Sequence, residues 1–139
     1  MAERPDDQPE PPRAPVVTPL SYEQRVEVEA AQDRHRAADA AFRGALPSVR
    51  GAVAAAAGSA PGGEAWVVAQ QALSRLEAAR TPSAEALADL DRLLTERLAQ
   101  EQQGAAAGGA EDIVTARAVI EAAVRDQSMI LSGLARRIG

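Results

Sequence analysis

Cysteine and lysine are both missing from this 139-residue chain, and histidine, tryptophan, tyrosine and phenylalanine each occur once. Without cysteine there are no disulfides, no thiolate nucleophile and no thiolate metal site. Without lysine there is no phosphate-loop lysine, no Schiff base and no lysine general base. The single histidine, His35, is preceded three positions earlier by Gln32, so the Glu-x-x-His pairs of a carboxylate-bridged di-metal bundle cannot be assembled. Haem and zinc face the same shortage of ligands. No metal and no cofactor is expected. No apolar run reaches the roughly 18 residues needed to span a bilayer, and the N-terminus lacks the pattern of a signal peptide.

Aromatic residues make up 2% of the chain while apolar residues make up 46%, about a quarter of the chain being alanine. Alanine is the strongest helix former and lets helices approach closely, but each one adds little buried area. The net charge of −5, with a pI near 4.9, gives no electrostatic steering toward nucleic acid or anionic lipid.

The clearest periodicity lies between Asp112 and Ile138. Ile113, Arg117, Ile120, Val124, Gln127, Leu131, Leu134 and Ile138 recur at steps of four and three, which places them on one helical stripe. Arg117 and Gln127 interrupt it; a position at the stripe's edge, with stems packed and polar heads outward, is the expectation for both. Upstream, Thr81-Pro82 matches an N-cap followed by proline at the first helical position, and opens a helix to about Gln102 with Leu87, Leu90, Leu94 and Leu98 inward and Leu93 beside them. A helix from about Glu64 to Ala79 precedes it, with Trp66, Leu73 and Leu76 inward and most of the indole expected inside. The connection between these two is so short that they are expected to fold back as an antiparallel hairpin. The first helix starts at Thr18-Pro19 or at Ser21, where Gln24 completes a capping box. Tyr22, Val26, Ala30, Ala37, Ala41 and Phe42 share one broad face of it. Pro47 is expected to kink or break that helix before a second alanine-rich piece ends at Ala57.

These elements predict an all-α, antiparallel up-and-down bundle of about four helices over residues 18–139. Residues 1–17, with prolines alternating with Glu3, Asp6, Asp7 and Glu10, read as a disordered acidic leader. His35, between Arg34 and Arg36, reads as a solvated surface residue, with Asp39 one turn on as a possible ion-pair partner. No catalytic motif is present. A non-enzymatic helical interaction or scaffolding module is therefore the preferred function, with a protein partner or a second copy of the chain as its binder. The alternative is a protein holding a small apolar ligand between helices near Trp66. Trp66, Ile120, Val124, Gln127, Leu131 and Leu134 form the candidate interaction or ligand face for either reading. As written the chain suits the cytoplasm; an anchor removed from the N-terminus would place it in a cell envelope.

Overall fold

The structure, a computed structural model, describes residues 16–139. The leader expected over 1–17 therefore lies almost wholly outside the described residues. Four helices form: α1 (Tyr22–Ala57), α2 (Glu64–Ala78), α3 (Thr81–Gln102) and α4 (Ala110–Arg136). No strand occurs among the described residues. The protein is an all-α helical bundle.

The four helices make three legs. α1 runs its whole 36 residues, about 54 Å at the usual rise, as one helix. α2 and α3 return along it in succession, and α4 then runs parallel to α1. α2 packs on the C-terminal half of α1 and α3 on the N-terminal half, and α2 and α3 do not lie side by side. The expected α2–α3 hairpin is thus replaced by a bent but continuing leg. The reason is local: Ala79 (φ −65°, ψ −16°) and Arg80 (φ −81°, ψ −16°) both stay in the right-handed helical region. Backbone bonds from Ala79 to Arg75, Arg80 to Glu77 and Ala84 to Arg80 carry the ladder across the joint. Pro82, lacking an amide donor, opens the break. Thr81 is already helical, and no side chain caps α3.

Pro47, expected to break the first helix, sits inside α1 without ending it. Its ring lies on the exposed side, where water can satisfy the carbonyl it leaves free, while Leu46, Val49 and Val53 are buried on the opposite side. Burying those side chains, at about 1.5–3 kcal/mol each, outweighs the roughly 3 kcal/mol cost of an internal proline. At the other end Ser21 accepts from the Gln24 amide at 3.1 Å and Gln24 Oε1 accepts from the Ser21 amide at 3.1 Å, the predicted capping box. Thr18 has a different task. It bonds to the α3–α4 loop through Ala107, at 2.8 Å and 3.0 Å.

Apart from Phe42, which is buried as read, the inward face of α1 is nearly opposite to the one read from the sequence. Gln24, Val28, Ala31, His35, Ala38 and Phe42 are buried, whereas Tyr22, Val26, Ala30, Ala37 and Ala41 are exposed. Alanines occupy every side of this helix, so they carry no phase. The true seam runs through Gln24 and His35, which look like surface residues. In α3 the seam likewise passes through Leu90, Leu93 and Arg97 and leaves Leu98 exposed.

Candidate functional site

The apolar interior is divided in two. An upper cluster joins Leu20, Val28, Ala31, Ala86, Leu90, Leu93, Ile113 and Ile120. A lower one joins Phe42, Leu46, Val49, Val53, Leu73, Leu76, Leu131 and Leu134. Between them each leg contributes polar side chains at one level: His35 and Asp39 from α1, Arg80 and Ser83 from the bent leg, Gln127 and Ser128 from α4.

These side chains cross-link the legs. His35 Nδ1 lies 2.8 Å from Ser83 Oγ, joining α1 to α3. Gln127 Nε2 donates to Asp39 Oδ1 at 2.9 Å, joining α4 to α1. Arg80 Nη2 donates to the Val124 carbonyl at 3.2 Å and to Ser128 Oγ, pinning the joint to α4. Asp39 also meets Arg43 at 3.4 Å, and Arg43 reaches Asp126 at 2.7 Å. That hydrogen bond to Asp126, with the charge of Asp39, raises the Arg43 guanidinium above its ordinary range. Two buried atoms in the layer keep no protein partner: Arg80 Nε and Gln127 Oε1.

Polar groups buried at one level fix register, because sliding any leg by a turn leaves donors and acceptors unpaired in an apolar surround. The layer contains the serine–histidine contact of a hydrolase, but Ser83 is fully buried and Asp39 is engaged by Gln127 and Arg43. A nucleophile there has no path to substrate.

A second polar knot closes the upper end. Arg97 is 3% exposed and lies within reach of no carboxylate among the described residues. Its guanidinium donates instead to oxygens: Gly108 O at 3.0 Å, Gln24 Oε1 at 3.0 Å and Thr18 O at 2.5 Å. One arginine thus gathers the entry segment, the start of α1, the end of α3 and the loop before α4. Gly109 (φ +91°) makes room for it, since a Cβ there would meet Arg97 Nη2 at 2.7 Å and Thr18 O at 2.8 Å.

The six residues proposed from the sequence fall as follows. Ile120, Gln127, Leu131 and Leu134 are buried against the other legs, so their surface is spent inside the chain. Val124 is partly buried against the upper cluster. Gln127, expected at the stripe's edge, is 0% exposed, because α1 and the joint close over it and Asp39 supplies a partner. Arg117 does lie at the edge, bonding Asp91 and, at 2.6 Å, Glu121; the bond to Asp91 raises it above its ordinary range. Trp66 is half-buried, and its Nε1 donates to the Ile138 carbonyl at 3.0 Å. The groove beside it, about 480 Å³, is lined by Trp66, Val67, Gln70, Gln71, Ser74 and Arg75, all from α2 alone, so it is a trough on one helix's surface. His35, read as solvated, is buried at 7% exposure because the α1 seam passes through it and Ser83 answers its ring.

Sequence reasoning missed the polar layer and the Arg97 knot. Two signals were available: Gln127 interrupts the apolar stripe of α4, and His35 lies on the same 3.6-residue line as Val28, Ala31 and Phe42, as Arg97 does on that of Leu90 and Leu93.

One feature faces outward. From Ala37 to Gly58 the side of α1 turned away from the bundle carries only small uncharged residues, among them Ala40, Gly44, Pro47, Ser48, Gly51 and Ala55, all exposed. A Cβ added at Gly44 or Gly51 would meet nothing within 4 Å. Beside this face, Ala45, Ser48, Val49, Ala52, Val68 and Ala72 help line an α1–α2 groove of about 380 Å³.

No group of histidine and carboxylate side chains suited to a metal ion occurs among the described residues, and none of their helices is long and apolar enough to cross a membrane. Comparison with protein-family models, with curated proteins and with solved structures finds no match to this chain.

Proposed function

We propose that this chain is a non-enzymatic helical interaction module whose working surface is the outward side of α1 with the adjoining α1–α2 groove. The observation that carries the reading is the uncharged face from Ala37 to Gly58. A solvated helix ordinarily carries charge on its outer side. Here about six turns have none, and two interior glycines, each costing about 1 kcal/mol relative to alanine, serve no contact inside the molecule. Small residues in a line let a second helix backbone come close, and Arg36, Arg43 and Arg50 border the strip on the side of α4.

Sedimentation equilibrium over a wide concentration range, on the wild type and on Gly51→Glu, tests it. A mass that rises with concentration in the wild type alone supports pairing of two copies. A partner retained from cell extract by the wild type and released by Gly51→Glu supports a foreign helix. A strict monomer whose captured proteins are the same for both forms removes the proposal.

A further inference from the structure

α2 is held to the rest of the molecule differently from the other helices. It is the shortest, at 15 residues, and buries three residues, Ala69, Leu73 and Leu76, against five for α3, six for α4 and ten for α1. Its N-cap is Gly63, with no side-chain bond to the first turn, a bond that α3 and α4 lack as well, and the preceding turn contains Gly62 at φ +80°. Its other end is the two-residue joint Ala79–Arg80. Among the described residues its charged side chains form no ion pair with another leg; Glu77 meets only Arg80. Its one side-chain hydrogen bond to another leg is Trp66 Nε1 to Ile138 O, two residues beyond the end of α4.

The apolar contacts that hold α2 all belong to the lower cluster, which stops at the polar layer. Loosening them leaves the upper cluster, the His35–Ser83 bond and the Arg97 knot untouched. Arg80 marks the turning point, because its bonds to Val124 O and Ser128 hold the joint on α4 whether or not α2 is docked.

From this we infer that α2 is a hinged strap: it lifts from α1 and α4 about the Ala79–Arg80 joint while the remaining helices stay folded. Lifting uncovers an apolar strip formed by Phe42, Leu46, Val49, Val53 and Leu131. Sub-global opening of this kind selects a short segment with few buried residues, bounded here by the glycine turn at Gly62–Gly63 and the bend at Ala79–Arg80. The inference does not rest on the outer face of α1, although lifting α2 opens the α1–α2 groove beside that face.

Hydrogen exchange of the full chain, read by mass spectrometry in mild urea, decides it. Amides of residues 66–78 are expected to exchange on the order of tenfold or more faster than those of residues 86–101, in a single cooperative step. Trp66, the only tryptophan, reports the same event: its emission changes at lower urea than the far-ultraviolet circular dichroism. Leu73→Ala is expected to move the Trp66 transition alone, and Leu90→Ala the circular dichroism transition. Equal protection of α2 and α3, with coincident transitions in the wild type, overturns the strap; this comparison needs no variant to fold.

Discussion

Replacing Arg97 by methionine keeps most of the buried stem and removes the guanidinium, so it isolates the knot's hydrogen bonds from its packing. Three oxygens lose a donor at 3.0 Å or closer, Gly108 O, Gln24 Oε1 and Thr18 O, and Pro19 O loses a long contact at 3.5 Å. Gln24 Oε1 keeps the Ser21 amide, which leaves two carbonyls without a protein donor. At about 1–1.5 kcal/mol for each, the expected loss is about 2–3 kcal/mol. Relief from burying a charge works the other way, but the surrounding oxygens already compensate much of that cost in the wild type. With a urea dependence of about 1.5 kcal/mol per M, the midpoint should fall by about 1.3–2 M without a change in slope. Arg97→Lys should fall between the two, since one ammonium cannot reach acceptors in three directions. Equilibrium urea denaturation followed by circular dichroism is the assay. A methionine variant within about 0.5 kcal/mol of the wild type would show that packing of the stem, not the gathered oxygens, holds this end together.

Gly109→Ala should cost at least about 2 kcal/mol, from the left-handed backbone and from the clash with Arg97 and Thr18; Gly51→Ala should instead stabilise by about 0.5–1 kcal/mol, and thermal melts of the pair check both signs. Ser83→Ala deprives the buried His35 Nδ1 of its partner and should cost about 1–2 kcal/mol, read by denaturant titration. The hydrogen bond to Asp126 and the charge of Asp39 raise the Arg43 guanidinium, so its contribution is complete below the unfolded arginine range and is lost only as pH climbs past the higher folded value. Arg43→Gln should therefore change stability by the same small amount, under about 1 kcal/mol, at every pH from 7 to 10, as a pH series of melts would show.

The helices themselves were legible in the sequence because each signal is local. The Ser21–Gln24 box, the Gly58–Gly63 turn and the spacing of Ile113, Ile120, Leu131 and Leu134 act within a few residues of where they stand. The candidate face was legible only in part. All of its residues but Trp66, which is half-buried on α2, lie on the inner side of α4, and whether an apolar stripe meets a partner or its own chain is not a local property.

Pattern and propensity by themselves determined that this chain is all helix, where most of its elements begin and end, and which side of α4 is apolar. What tertiary structure alone decided is the phase of α1, the passage of that helix through Pro47, the run of α2 into α3, and the burial of Gln24, His35, Arg97 and Gln127. Alanine is the common cause. A side chain that suits the inside and the outside equally leaves rotation about the helix axis undetermined, and only partners on other legs, such as Ser83 for His35 and Asp39 for Gln127, make one rotation lower in energy than the rest.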